Sequence, residues 1–193
     1  MGNMYILQLT GAIALLANKH LIYKGKEISG WALGLIGLLA LLPYNIERQF
    51  WVTVVYHISS SVLMAYGLMM KTALGEQISE NRKRRAKICL IIFSLLTCTY
   101  FCIEVGSPKF VGLQFWQSFT GLIGTLLLVF ESPKSKTAGW ILYIPSHIFC
   151  IAYVAQSNGM TIALFQALSI PYAILGILKE LKKITILPFN SPS

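Results

Sequence analysis

The chain has 193 residues, of which 55% are hydrophobic and only 12% charged, with a mean hydropathy of +0.65. So little charge cannot cover the surface of a soluble domain this size, which excludes an ordinary water-soluble globular protein. The net charge of +9 would suggest nucleic acid in a soluble protein; here it sits at the ends of apolar runs, where it answers anionic cytoplasmic-leaflet lipid, and no nucleic-acid partner is expected.

In chain order, uncharged apolar runs occupy residues 4–18, 29–46, 49–70, 88–103 and 110–130. A longer run, 137–178, holds two spans divided at the turn pair Asn158-Gly159. Runs near 20 apolar residues cross a hydrocarbon core as helices, and shorter ones can when their ends snorkel. The expected fold is therefore an all-α membrane protein with seven transmembrane helices. The first span lacks a basic leader and a small-residue cleavage site, so it reads as a retained helix. Pro43 is expected to mark the exit of helix 2, and residues 184–193 a frayed tail.

Assigning the gaps alternately to two sides sorts the basic residues. One side receives Lys19, Lys24, Lys26, Lys71, Arg82, Lys83, Arg84, Arg85, Lys87, Lys134, Lys136, Lys179, Lys182 and Lys183; the other receives Arg48 and Lys109. Fourteen against two places the N-terminus outside and the C-terminus in the cytoplasm, in what is expected to be a bacterial inner (plasma) membrane.

Sliding the chain against itself by 109 residues sets Gly30-Trp31-x-Leu33 on Gly139-Trp140-x-Leu142. The same register pairs Gln8 with Gln117, Tyr44 with Tyr153, Tyr56 with Phe165, His57 with Gln166, Ser60 with Ser169 and Gly67 with Gly176. Weight falls on the rarer Trp, Tyr and paired Gly, since apolar composition alone produces other matches. The offset pairs helix 1 with 5, 2 with 6 and 3 with 7, which predicts a 3+1+3 plan. Residues 1–72 form a first triple-helix unit, 73–108 a basic loop and linker helix, and 109–193 a second unit with a short tail. Parallel repeats of this kind mark small transporters with a midplane site between the halves.

The segment Tyr23-Lys24-Gly25-Lys26 leading to Gly30-Trp31, then Tyr44 and Tyr66-Gly67, resembles the first half of the Pnu vitamin transporters, the PnuC nicotinamide riboside uptake family. Residues 134–140, with Tyr143, Tyr153 and Gly176, resemble the second half. The resemblance implies SWEET-like architecture and facilitated diffusion of a B-vitamin-like small molecule, with a cytoplasmic kinase trapping the cargo. Where that family pattern carries Asn this chain has His57, and where it carries Asp or Asn this chain has His147. Thiamine is accordingly as open as nicotinamide riboside.

Polar groups inside a span are costly, so they are functional candidates. His57 and Ser60 in helix 3, Gln117 in helix 5, His147 in helix 6, and Gln166 and Ser169 in helix 7 are the expected hydrogen-bonding set. His57 and Gln166, as repeat counterparts, are expected to face one another. Trp116, Trp140 and Tyr143 offer ring faces for stacking on a heteroaromatic or cationic ligand. Pro145 and Pro171 lie mid-span, where they kink the helix. No Ser/His/Asp, Cys/His or HExxH pattern appears, so an enzyme is not expected, nor is a cofactor. Cys98 and Cys102 share a helix face but have no His or carboxylate neighbours, so no metal site is expected either. A sugar or other small-solute carrier, a receptor or a scaffold remain the other classes, and a homo-oligomer stays open.

Overall fold

Turn chemistry decides where the apolar runs stop. Gly25 adopts φ +81°, and the Lys26 amide returns to the Leu21 carbonyl at 2.9 Å while the Gly25 amide bonds Ile22. That is the glycine-terminated helix end which a side chain with Cβ would strain. At the start of helix 6, Ser132 Oγ accepts from the Ser135 amide at 3.0 Å, and Pro133 occupies the first helical position, where a missing N–H costs nothing.

The computed structural model describes residues 2–72, 76–104, 110–130, 132–156 and 159–186. Its long elements are seven helices: α1 (Gly2–Tyr23), α2 (Glu27–Glu47), α3 (Trp51–Met70), α4 (Glu80–Glu104), α5 (Phe110–Val129), α6 (Pro133–Gln156) and α7 (Met160–Ile186). Five of them, α2, α3, α5, α6 and α7, are long and apolar enough to cross a membrane. Among the described residues α1 falls below that composition because Asn18-Lys19-His20 interrupts it, and α4 pairs a basic opening, Glu80 to Lys87, with the uncharged run 88–103. The distribution of side chains is that of an integral membrane protein. Ile13, Ile36, Leu39, Ile58, Leu95, Leu96, Leu164 and Leu168 face outward, while Asn18, Thr53, Ser60, Ser118, Thr125 and Ser146 are buried.

Helix neighbours follow a closed order: α1 packs on α2, α2 on α3, α3 on α5, α5 on α6, α6 on α7, and α7 on α1. α4 stands outside this ring against α3 and α5, joined to α3 by a 3.3 Å contact between Ser59 Oγ and Thr97 Oγ1. Small residues let the ring close tightly, as is usual where lipid supplies no hydrophobic drive. A Cβ on Gly139 would come within 2.9 Å of the Gly124 carbonyl oxygen, and one on Gly37 within 3.0 Å of the Gly11 carbonyl oxygen. Trp31 and Trp140 are buried, and each lays its indole where a glycine leaves room, Gly67 and Gly176 respectively.

Three expectations change. Lys19, sorted by sequence into a cytoplasmic gap, lies inside α1, because the helix runs one turn further to Tyr23 before Gly25 ends it. Pro43 lies inside α2, which continues to Glu47. Residues 184–186 continue α7 and are no frayed tail. The segments 73–75, 105–109 and 187–193, with Asn158, lie outside the described residues.

Candidate substrate cavity

At the centre of the ring is a small cavity of about 30 Å³, lined by Leu15 and Lys19 of α1, Leu38 of α2, Tyr56 of α3, Gln117 of α5, Tyr143, Ser146 and His147 of α6, and Gln166 and Ser169 of α7. All six ring helices contribute and α4 does not. Helical spacing explains the lining on α6, where Tyr143, Ser146 and His147 fall at i, i+3 and i+4 and so share a face. Lys19 is one turn beyond Leu15, and Ser169 is three residues beyond Gln166.

The charge in this space belongs to Lys19, which is 4% exposed. Its Nζ stands 3.3 Å above the centroid of the Tyr143 ring. Among the described residues no carboxylate pairs with it. A desolvated cation on an aromatic face gains about 2 kcal/mol, against a burial penalty of several kcal/mol for an unpaired ion. Tyr143 is held from its other end, with its hydroxyl 2.7 Å from Thr125 Oγ1, and its ring stacks on His147 at 5.6 Å. His147 Nδ1 meets Gln166 Oε1 at 2.5 Å. Facing a carbonyl oxygen, Nδ1 carries the proton, so Nε2 keeps a lone pair. That Nε2 is buried and has no hydrogen-bond partner among the described residues. Ser146 donates to the Gln117 carbonyl at 3.0 Å, and Ser169 to Phe165 at 2.9 Å.

Five of the nine residues expected from sequence therefore meet in one space: Gln117, Tyr143, His147, Gln166 and Ser169. The other four do not line it. His57 is buried between α2 and α3, where Asn45 Nδ2 lies 3.3 Å from its Nδ1. It does not face Gln166; each bonds within its own half. Ser60 is buried a turn from Tyr56. Trp140 is packed against Gly176. Trp116 is 49% exposed on the outer face of α5, with its ring against Phe119 and Phe149. Sequence reasoning missed Lys19 most seriously. The signal was present in Gly25, the natural helix stop, which leaves Lys19 inside the span.

On both sides of the central space side chains reach between α2 and α6, which are not ring neighbours. At one end Lys136 Nζ meets Glu27 Oε1 at 2.5 Å, and Lys71 Nζ meets Glu27 Oε2 at 3.0 Å. Beside them the Lys179 ammonium donates to the Tyr23 carbonyl. At the other end Tyr44, Phe50 and Tyr153 form a T-shaped aromatic stack, with the Thr53 hydroxyl 3.5 Å from that of Tyr153.

This geometry separates binding from scaffolding. Gln166→Ala should weaken ligand binding by about 5- to 100-fold through loss of the group that fixes the His147 tautomer. His57→Ala should leave affinity within about twofold while lowering the melting temperature, since it removes one of the two partners of Asn45 Nδ2. Isothermal titration and thermal melting of the two purified variants read both quantities; the opposite split would relocate the site to α3. Comparison with known proteins finds no matching family model, no similar curated protein and no similar solved structure.

Proposed function

We propose that this protein is a membrane carrier for the facilitated uptake of a B-vitamin-like small molecule, working by alternating access at the central cavity. The observation that carries the reading is the pairing of contacts under exchange of the two halves. Replacing α1, α2, α3 by α5, α6, α7 turns every ring contact into another ring contact, and turns Trp31 on Gly67 into Trp140 on Gly176. Two triple-helix units about a shared polar space, with α4 as the inverter, are what a 3+1+3 carrier requires. The counterparts Glu27 and Lys136, 109 apart in sequence, also meet each other.

The repeat carries a register shift in its first helix. Gly37 abuts Gly11 and Leu15, whereas its counterpart Ser146 meets Gln117 and Gly121. Gly11 thus corresponds to Gln117, a spacing of 106, and Gln8 sits one turn away at the aromatic end with Tyr44 and Arg48.

Closure at both ends, with room for only one or two waters, fits an occluded step of such a cycle, since ring-sized ligands need roughly 300 Å³. With Lys19 removed from the count, thirteen basic residues against two still favour an external N-terminus in a bacterial inner membrane. A separate cytoplasmic kinase would trap the cargo, and no energy coupling is invoked.

Proteoliposomes holding the purified protein should take up a labelled vitamin (thiamine, nicotinamide riboside or a carboxylate vitamin) down its gradient, saturably and without ATP. In intact cells an impermeant thiol reagent should label a cysteine at Asn3 and not one at Ser193. Saturable uptake of glucose with no vitamin uptake would replace this reading with the sugar carrier, and no transport at all would leave the receptor class.

A further inference from the structure

Resting on the carrier reading, we infer that the cargo is a small monocarboxylate bearing a hydrogen-bond donor, bound with its carboxylate on Lys19 Nζ and its donor on His147 Nε2. The cavity presents two unfilled demands of opposite kind. Lys19 is a buried amine set over the Tyr143 ring face, and no acid among the described residues answers it. His147 Nε2 is buried without a partner among the described residues, and it is an acceptor in the tautomer that donates Nδ1–H to Gln166. Both atoms belong to residues lining the same space, and both flank Tyr143.

A cationic ring fits this site poorly. The Tyr143 face that would receive it already holds a cation, and a second positive charge would sit beside the first with no counter-charge. A neutral ligand would leave the Lys19 charge uncompensated. A phosphate monoester, at about −1.5 to −2 near neutral pH, would overcompensate a single ammonium and bring net negative charge into a dry space. One carboxylate balances one ammonium, and a charge-assisted hydrogen bond is the strongest contact the site can make. The remaining lining, Leu15, Leu38 and Tyr56, suits an apolar or ring-bearing body.

The test compares nicotinate, its near-isosteric amide nicotinamide, nicotinamide riboside, and the two donor-bearing carboxylates biotin and pantothenate. Binding is measured by calorimetry on the purified full chain, and uptake in proteoliposomes. At least one carboxylate is expected to bind about 10- to 100-fold tighter than nicotinamide or nicotinamide riboside. Lys19→Met should abolish that preference, and Lys19→Arg should retain most of it. Should Lys19→Met fail to fold, Lys19→Gln and His147→Phe provide the same comparison at the two anchoring atoms. Tighter binding of nicotinamide riboside than of every carboxylate overturns the proposal, as does a carboxylate preference that survives Lys19→Met. Failure of the carrier reading looks different: carboxylate binding that depends on Lys19, with no uptake of any compound, upholds the anion site and sinks transport. Uptake of thiamine or nicotinamide riboside at wild-type rates by Lys19→Met, with no carboxylate bound, upholds transport and sinks the anion site.

Discussion

Gly176→Ala should cost this fold several times more than Gly67→Ala, although the two glycines hold matching places in the two halves. A Cβ on Gly176 would lie 2.5 Å from both Cδ2 and Cε2 of Trp140, distances no relaxed structure tolerates, whereas one on Gly67 meets the Trp31 ring at 3.1–3.3 Å. The obstacle is rigid in both cases, because an indole in a packed interior cannot shrink or bend. At Gly67 a few tenths of an ångström suffice, and a loss of about 1 kcal/mol is expected. At Gly176 α6 and α7 must separate, and about 3 kcal/mol or more is expected, enough to send much of the protein into aggregates. Thermal melting with size-exclusion chromatography in detergent gives the ranking. Trp140→Phe, a smaller ring, should recover part of the Gly176→Ala loss while destabilising alone, and that coupling is the decisive sign. Equal effects at the two glycines would show that the Trp140 contact is looser than its geometry implies.

Removing the Glu27 carboxylate should open the basic end of the ring. Glu27 holds Lys136 of α6 and Lys71, just past α3, at once, so Glu27→Gln removes the carboxylate that the two ammonium groups share. A fully buried pair broken on one side costs about 3–5 kcal/mol. These side chains keep 12–29% exposure, so about 1–2 kcal/mol is the appropriate scale, a shift of roughly 5- to 30-fold in the closed-to-open balance. A cysteine replacing Leu38, on the cavity wall, reports the change through its labelling rate from the cytoplasmic side of inverted vesicles. Labelling should rise by that factor in Glu27→Gln and fall part of the way back in Glu27→Lys with Lys136→Glu. Recovery is partial because Lys71 then opposes the new lysine. The effect in wild type should also grow with salt, which weakens exposed ion pairs. An unchanged labelling rate would mean that packing, not the ion pair, seals this end.

The seven helices were legible, five of them as spans, because uninterrupted apolar length and flanking charge specify such runs locally. The trio Asn18-Lys19-His20 shows the limit of that logic. Read against hydropathy alone it ends a span, yet Leu21-Ile22-Tyr23 continues the helix and Gly25 stops it, so the lysine turns inward. Burial of an unpaired cation is a tertiary decision, made by Tyr143 at a distance of 124 in sequence. The polar set on α6 and α7 was readable, because His147 and Gln166 are costly in a span and satisfy each other. His57 carried the same signal and answered it locally with Asn45, a partner that lies too close to the helix end to stand out. Trp116 stands apart from the cavity lining for a simpler reason. A tryptophan on an amphipathic boundary and one in a binding site look alike until the helix's rotation is known. In the proposed repeat the register shifts in the first helix, because an extra turn at the start of α6 is invisible to hydropathy.

The central space also has an osmotic consequence. Growing from about 30 Å³ to the roughly 300 Å³ a ring-sized guest requires draws in on the order of nine waters, at about 30 Å³ each in the liquid. In the proposed carrier cycle those waters would come from whichever compartment the ring opens toward, so each turnover would exchange a packet of solvent as well as a solute. Solutes too bulky to enter, such as sucrose, raise the work of hydrating the interior and favour the sealed form. The occupancy of the open state thus depends on the water activity on each side of the bilayer, independently of how much cargo is present.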